Sequence, residues 1–308
     1  MLRADEHDVV IVGAGAAGVS CALECFDMQF DTVIVERDSE PGGQIGEIAH
    51  SVRNVAAGRF ANGRSLRQAL EDSSAILGDR LRVSQSATHS DLGERWVEVN
   101  GSRVHGRALV LCTGTERQYL PAAVDGGFGG DVTYQLGSEP QRFVGRDVVV
   151  IGSGDNATLD ALALARAGSS VRLVHRSHAL TARQDLVEQV RNEPRIEDFP
   201  GWELESVKGD ARLEEIVLIR SAGGERRELK TGGLVVRIAR VPSTQLFRGQ
   251  LKLDHRGAIV VDTELRTSRD GVLAAGDVVA GAYPRVATAM GQGVLAARSV
   301  LRCLQGRA

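Results

Sequence analysis

The chain has 308 residues, of which 43% are hydrophobic and 25% are charged, and its formal net charge is −3. These values are typical of globular proteins, and the length predicts two domains. The charge argues against a surface for nucleic acid or for an anionic membrane. No apolar stretch is long enough to span a membrane, residues 1–8 are too polar for a signal peptide, and no spacing of Cys and His predicts a metal site. We therefore expect a cytoplasmic protein.

The first motif is a glycine-rich turn after the apolar run 9–12, with Gly13, Gly15 and Gly18 in the spacing GxGxxG. In such a turn the first glycine permits a tight bend, and the second lets backbone N–H groups approach a pyrophosphate. The third lets a helix pack closely on its strand. The next strand ends in Glu36, where an acid accepts hydrogen bonds from an adenosine ribose diol. This unit therefore predicts a site for FAD or NAD; the alternative is that Glu36 is a solvated strand end.

The segments that follow are predicted to complete this unit. They are a helix at 65–77 and β-like segments at 80–84, 95–100, around Val104 and at 108–112. The last of these runs into Thr113-Gly114, a turn at which a backbone can approach a nucleotide closely.

A second turn of the same kind follows the apolar run 148–151, with Gly152, Gly154 and, at the third position, Ala157. Because each turn stands between a strand and a helix, the pair strongly predicts an oxidoreductase with two nucleotide sites. The next strand ends in His175-Arg176, and cations there suit a 2′-phosphate and favour NADP. The alternative is that Arg176 is a solvated strand end.

The remaining elements predict how the chain divides. They are a helix near 181–192, a hairpin around 207–219, strands at 233–238, 258–262 and 271–277, and a helix at 287–304. Because the tail returns to the first unit, the predicted fold class is α/β, with two Rossmann-like three-layer dinucleotide-binding domains, one inserted in the other. We place the FAD-binding domain at 1–115 and 245–308, and the second dinucleotide-binding domain at 116–244.

Six motifs follow one another along the chain. They are Gly13-x-Gly15-x-x-Gly18, Gly42-Gly43-Gln44, Thr113-Gly114, Gly152-x-Gly154-x-x-Ala157, His175-Arg176 and Ala274-Ala275-Gly276-Asp277. Together they resemble the low-molecular-weight thioredoxin reductase family over nearly the whole chain. The resemblance implies FAD in the discontinuous domain and NADPH in the inserted one, and we expect a homodimer.

The resemblance also implies which residues bind the nucleotides. It implies that Asn54 reaches the flavin ring, that Asp277 reaches the ribityl chain, and that the helix after Arg285 reaches the pyrimidine edge. The residues expected to bind FAD are Gly13, Gly15, Ala16, Gly18, Glu36, Arg37, Gly43, Gln44, Asn54, Val83, Thr113, Gly114, Gly276, Asp277, Arg285, Val286 and Ala287. Those expected at the second nucleotide are Gly152, Gly154, Asp155, Asn156, His175 and Arg176.

Two departures from the family pattern shape the functional prediction. Gln135 and Ser138 stand where the family has the cysteines of its CxxC, so we expect no reduction of thioredoxin by NADPH through that route. In the family's HRRxxxR phosphate motif, Ser177 and Thr181 replace two arginines, for which Arg183 compensates in part. NADPH, NADH and a second FAD stay open for this site.

Two of the four cysteines form a second candidate site. Cys21 and Cys25 are four residues apart on the predicted first helix, so their side chains share one face. One interpretation is that both pack as small hydrophobic residues. The other is a redox-active pair that replaces the CxxC, with the Cys21 pKa lowered by the helix N-terminus. The second interpretation resembles the diflavin-linked disulfide oxidoreductases of cyanobacteria, which carry a second FAD in place of NADPH.

These observations give one functional prediction and one alternative. We predict an FAD-dependent oxidoreductase that exchanges electrons between flavin and a thiol/disulfide couple, with Cys21 and Cys25 as candidates, and that is not an NADPH–thioredoxin reductase. Its partner would be a redox protein or a small thiol or disulfide, and no nucleic acid. The alternative is a ferredoxin- or flavodoxin-NAD(P)H reductase-like flavoprotein.

Overall fold

The computed structural model describes residues 5–123, 127–137 and 139–306. Its Cα packing forms two compact units, Met1–Glu116 with Arg240–Ala308, and Arg117–Ala239. Glu116 and residues 240–244, which we predicted in the second domain, lie in the first unit. The reason is that Arg240–Pro242 pairs with Thr115–Arg117 as a two-stranded sheet.

Strands outnumber helices in the described part of the chain, and several strands follow one another without a helix between them. The strands are β1 (Asp5–Val12), β2 (Thr32–Val35), β3 (Val52–Val55), β4 (Gly58–Phe60), β5 (Leu81–Arg82), β6 (Ala87–Asp91), β7 (Trp96–Val99), β8 (Ser102–Leu111), β9 (Thr115–Arg117), β10 (Val132–Thr133), β11 (Asp147–Ile151), β12 (Ser170–His175), β13 (Ile196–Pro200), β14 (Trp202–Gly209), β15 (Leu213–Arg220), β16 (Arg226–Lys230), β17 (Gly233–Val236), β18 (Arg240–Pro242) and β19 (Val272–Ala274). The helices are α1 (Ala16–Asp27), α2 (Gly63–Ser74), α3 (Gly127–Gly130, a single turn), α4 (Asp155–Ala167), α5 (Gln184–Arg191) and α6 (Val286–Leu304), with 3-10 turns at Gly43–Glu47, Ala75–Arg80, Pro140–Phe143 and Gln245–Phe247.

The first unit is built on a sheet whose strands run in the order β5-β2-β1-β8-β7-β6, with β19 beside β8. Strands β5, β2, β1, β8 and β19 are parallel, whereas β7 and β6 continue the sheet antiparallel. Side chains alternate between two apolar clusters, so that Val9 and Ile11 pack in one and Val10 and Val12 in the other. A sheet buried on both faces explains the continuous apolar sequence of β1.

Register brings the first unit's motifs to one edge of this sheet. Val12 pairs with Val35 and with Leu111, and Leu111 pairs with Ala274. The residues that follow these four strand ends therefore lie at one carboxyl edge, which is where open α/β sheets bind ligands.

The second unit repeats the arrangement on a smaller scale. Its parallel sheet has the order β10-β17-β11-β12-β13, and Ile151 pairs with both Val174 and Val236. A separate antiparallel sheet, β14-β15-β16, contains the predicted hairpin. The α/β class and the Rossmann-like sheets confirm the predicted fold.

Several element bounds differ from the prediction for local reasons. α2 ends at Ser74, before a 3-10 turn that includes Gly78 at a φ of +52°. α5 begins only at Gln184, because Arg183, with a φ of −56° and a ψ of 146°, lies outside the helical region. The backbone N–H groups of Thr181 and Arg183 donate to Ser153 and Asp155. The predicted strand at 258–262 forms only isolated bridges through Ile259. Within the described part of the chain no helix is long and apolar enough to cross a membrane.

Candidate functional site

The first glycine-rich turn has the geometry of a pyrophosphate cradle. Gly13 has a φ of +102°, and a Cβ there would lie 2.5 Å from the carbonyl oxygen of Cys112. At Gly18 a Cβ would lie 1.8 Å from the carbonyl oxygen of Gly13, so the turn and helix α1 pack too closely for any larger residue. At Gly15 a Cβ would meet nothing within 4 Å, and no described side chain caps α1, whose first residue is Ala16. The start of α1 therefore fits a phosphate group.

Glu36 is a buried part of this turn and not a solvated strand end. It is 6% exposed, and its carboxylate accepts hydrogen bonds from the N–H groups of Ala14 at 2.7 Å and Asp38 at 2.9 Å. A carboxylate has further acceptor positions for a ribose diol. Val83 follows β5 at the same edge of the sheet, whereas the side chain of the neighbouring Arg37 is exposed.

A second polar group lies at this edge around Gln44 and Asp277. Nε2 of Gln44 donates to Oδ2 of Asp277 at 2.6 Å, and its Oε1 accepts from the hydroxyl of Thr115 at 3.3 Å. Burial raises the pKa of Asp277 above its usual value, although the Gln44 hydrogen bond and the charges of Arg240 and Arg285 oppose that shift. A half-buried carboxylate of this kind can accept a hydrogen bond from a ribityl hydroxyl.

The Thr113-Gly114 turn is fixed by the chain that returns from the second unit. The Thr113 hydroxyl donates to the carbonyl of Ser243 at 2.7 Å, and the N–H of Ser243 donates to the carbonyl of Gly114 at 3.0 Å. Gly114 adopts a φ of +61°. On the neighbouring strand end, the N–H of Gly276 donates to Oε1 of Gln292 at 2.7 Å, which ties this turn to helix α6.

Helix α6 begins at Val286, after the N-cap residue Arg285, and no described side chain caps it. Ala287 is exposed in its first turn, and Asn54 is exposed on β3. Both side chains are therefore accessible to a ligand. Their contacts with a flavin stay predictions.

The second glycine-rich turn has the same geometry as the first. Gly152 has a φ of +140°, and a Cβ there would lie 2.2 Å from the carbonyl oxygen of Arg237. At Gly154 a Cβ would meet nothing within 4 Å. Helix α4 begins with Asp155 and Asn156, and no described side chain caps it. This turn also fits a pyrophosphate.

His175, which we predicted at the second nucleotide, is buried and hydrogen-bonded within the second unit. The residue is 3% exposed, its Nδ1 lies 2.9 Å from the carbonyl of Ser177, and its Nε2 lies 2.8 Å from Oδ1 of Asp198. Both ring nitrogens therefore have partners inside the second unit, and a contact of His175 with a 2′-phosphate stays a prediction. Arg176, by contrast, is exposed.

Arg183 lies beside carboxylates. Its Nε is 3.5 Å from Asp155 and 3.7 Å from Asp185, and its backbone N–H donates to Asp155 at 2.9 Å. Ser153 and Thr181 share a hydrogen bond of 2.9 Å, so the loop before α5 is tied to the glycine-rich turn. The negative charges of the two carboxylates offset part of the positive potential that Arg183 would present to a 2′-phosphate.

Cys21 and Cys25 lie in the core of the first unit. Both are fully buried free thiols, and Cys112 is buried in the same cluster. A hydrogen bond with Cys25, together with burial, raises the pKa of Cys21 well above its usual range, so the predicted lowering is wrong. Burial also raises the pKa of Cys112 to about 12. The Cys25 hydrogen bond favours the neutral thiol of Cys21, and burial removes the hydration that a thiolate needs.

The residues that support the Gln44–Asp277 pair lie outside the sequence motifs. Thr115, Arg240 and Glu47 belong to no motif, and each lies on a different segment of the first unit. Only the pairing of β9 with β18 brings Arg240 beside Thr115. Among the described residues no group of three or more His, Cys, Asp or Glu side chains is arranged to hold a metal.

Comparisons with known proteins place the chain in a family. Residues 7–293 match the family model described as pyridine nucleotide-disulphide oxidoreductase. The thioredoxin reductase of Listeria innocua is 29% identical over 302 residues (97% of this chain and 94% of the relative), and that of Treponema pallidum is 30% identical over 296 residues (96% of each). The crystal structure of Lactococcus lactis thioredoxin reductase in its FR conformation superposes with a TM-score of 0.87 at 25% identity (97% of this chain and 99% of that chain).

These matches overturn the prediction that the chain is not an NADPH–thioredoxin reductase, with Cys21 and Cys25 as its redox couple. The prediction gave two positions, Gln135 and Ser138, more weight than the similarity of the whole chain. Ser138 lies outside the described residues, and the side chain of Gln135 accepts a hydrogen bond from Arg117 at 2.6 Å. The matches support FAD and NAD(P)H as cofactors and do not support a second flavin. The chain is an FAD-dependent oxidoreductase that belongs to the pyridine nucleotide-disulphide oxidoreductase family, with the fold of the thioredoxin reductases.

Proposed function

We propose that this chain is an NAD(P)H-dependent flavoprotein reductase that binds FAD in the first unit and the pyridine nucleotide in the second. Thioredoxin, or a disulfide protein like it, would accept the electrons. One observation carries the proposal: each unit has an uncapped helix that begins at a glycine with open space around it, Gly15 in one and Gly154 in the other. Full-length relatives with these units are named thioredoxin reductases.

The net reaction is a two-electron exchange. One NAD(P)H and one proton reduce one disulfide to two thiols and leave NAD(P)+. Bound FAD supplies the two-electron chemistry between nicotinamide and disulfide. The chain's residues bind and orient the nucleotides: Gly13 and Gly18 shape the first turn, Glu36 holds it, and Asp277 offers an acceptor to the ribityl chain.

The two sites can be tested separately by placing a carboxylate in each phosphate cradle. Gly15→Glu and Gly154→Glu should both fold, because neither residue has a positive φ and neither Cβ meets a neighbour. Each carboxylate would repel the phosphates that the cradle binds. We expect Gly15→Glu to lose FAD, seen in its visible spectrum. Gly154→Glu should keep FAD, but NADPH and NADH should no longer bleach it.

Matched controls and acceptor assays complete this experiment. Gly15→Ala and Gly154→Ala add only a methyl group and should keep FAD and its reduction. Counting thiols formed on oxidised thioredoxin tests the acceptor independently of flavin bleaching, which matters because Gln135 and Ser138 stand at the CxxC positions. If NAD(P)H bleaches the flavin and no thioredoxin thiols form, the proposed acceptor is rejected. If Gly154→Glu is still bleached as fast as the unchanged protein, the proposed nucleotide site is rejected.

The homodimer and the cytoplasmic location stay predictions from the sequence. Sedimentation velocity of the FAD-loaded protein measures the first directly.

A further inference from the structure

A network of hydrogen bonds between side chains connects Arg240 of the first unit to Asp277. Arg240 donates from Nη1 to Glu47 at 3.0 Å, from Nε to the Thr115 hydroxyl at 3.1 Å, and from Nη2 to the Thr115 carbonyl at 2.8 Å. Thr115 in turn donates to Gln44, which donates to Asp277. All five residues belong to the same unit.

The direction of these hydrogen bonds follows from their chemistry. A guanidinium has only donors, so the Thr115 oxygen must accept from Arg240. The single proton of that hydroxyl is then directed to the second neighbour, Oε1 of Gln44. With its oxygen engaged, the Gln44 amide presents its NH2 group to the carboxylate of Asp277. Each bond therefore orders the next.

The backbone fixes the relative positions of two pairs of residues in this hydrogen-bond network. Gln44 and Glu47 lie three residues apart on the 3-10 turn Gly43–Glu47, and side chains with that spacing lie above one another in such a turn. Arg240 therefore binds the same turn that carries Gln44, through Glu47. The pairing of β9 with β18 holds Thr115 and Arg240 side by side.

We infer that Arg240 is a positioning residue for FAD binding. It acts through Thr115 and Gln44, which hold Oδ2 of Asp277. Oδ1 of Asp277 has no hydrogen-bond partner among the described residues and is left for the ribityl chain of the flavin. This inference rests on the proposed FAD site at Asp277.

A second consequence is electrostatic. The charged side chains that face Asp277 are Arg240 and Arg285, and both oppose the rise in its pKa that burial causes. Without Arg240 this pKa would rise further, so the carboxylate would be protonated at a higher pH. The protonated group loses charge-assisted acceptance, and FAD affinity should begin to fall at a higher pH than in the unchanged protein.

The test titrates apoprotein with FAD and follows the quenching of FAD fluorescence from about pH 5 to about pH 8. Arg240→Met should raise the Kd about fivefold to tenfold at neutral pH, the loss of one net hydrogen bond. It should also move the acid loss of affinity to higher pH. Arg240→Lys keeps the positive charge but loses the planar N–H donors of the guanidinium. Its pH profile should therefore resemble that of the unchanged protein more closely than its Kd for FAD does.

Two further variants separate the possible failures. Arg266→Met is the matched control, because Arg266 lies in the same unit, pairs with Glu264 at 2.8 Å and is 32% exposed, against 28% for Arg240. It should leave the Kd unchanged. If Asp277→Asn leaves the Kd for FAD unchanged, as the control does, the proposed FAD site at Asp277 is wrong. If Asp277→Asn weakens FAD while Arg240→Met changes neither the Kd nor the pH profile, the inference about Arg240 is overturned and the site stands.

Discussion

At the scale of single residues, Cys21 and Cys25 show how the surroundings of a thiol determine its reactivity. Their spacing places both thiols on the buried face of α1, within an apolar cluster that also contains Cys112. A thiol is reactive as the thiolate, and these surroundings disfavour a charge. The side chains therefore act as small hydrophobic residues in the packing of α1.

This environment predicts a simple result for thiol titration. In the folded protein Cys21, Cys25 and Cys112 should not react with a thiol reagent at pH 8, because the raised pKa values of Cys21 and Cys112 and the burial of all three oppose attack. Cys303 is partly exposed and should react alone, so Cys303→Ser should remove the reaction. In denaturant all four thiols of the unchanged protein should react. Two fewer in oxidised, denatured protein would reveal a Cys21–Cys25 disulfide and contradict this account.

At the scale of elements, the packing of α6 on α1 supports the first glycine-rich turn. Gly293 is buried on α6, and a Cβ there would lie 2.2 Å from the carbonyl oxygen of Ala17 and 3.0 Å from the backbone nitrogen of Cys21. The two helices are therefore in backbone contact. Since α1 begins at the turn, any displacement of α1 also displaces the proposed phosphate cradle.

Gly293→Ala should destabilise the first unit and loosen FAD. A methyl group at this position overlaps the backbone of α1, and such overpacking costs about 1–3 kcal/mol. Gly291→Ala is the matched control on the same helix: its Cβ would meet nothing within 4 Å, so the helix should gain up to about 1 kcal/mol. Urea unfolding of the apoproteins measures both changes. Equal stability of the two variants would show that α6 shifts freely on α1.

At the scale of the whole molecule, the chain forms two compact units, each with its own sheet, apolar clusters and glycine-rich turn. Ligands that bind the folded state stabilise the unit that they contact. The two nucleotides should therefore protect different parts of the chain from local unfolding.

Hydrogen exchange can localise this protection. FAD at a concentration of one hundred times its Kd should stabilise the first unit by about 2.7 kcal/mol, seen as slower exchange in peptides from 5–116 and 240–306. NAD(P)H should slow exchange in peptides from 117–239. Gly15→Glu should abolish the first effect and leave the second. Equal protection of both units by each ligand would contradict the assignment of one nucleotide to each unit.

The sequence by itself determined the α/β class and the two nucleotide turns, each between a strand and a helix. Apolar runs that end in GxGxxG spacing are local signals, and Gly13, Gly18 and Gly152 are required by contacts within a few residues or with an adjacent strand. The position of Glu36 could also be predicted from local sequence, because Glu36 directly follows strand β2.

Only the tertiary structure decided which polar groups work together. Whether His175 faces a ligand depends on Asp198, 23 residues away, and the raised pKa of Cys112 depends on its burial in the cluster against which α1 packs. Arg240 reaches Thr115 from 125 residues away through the pairing of two short strands. Such contacts leave no periodicity or spacing in the sequence, because they depend on how distant segments pack and on the burial that this packing produces.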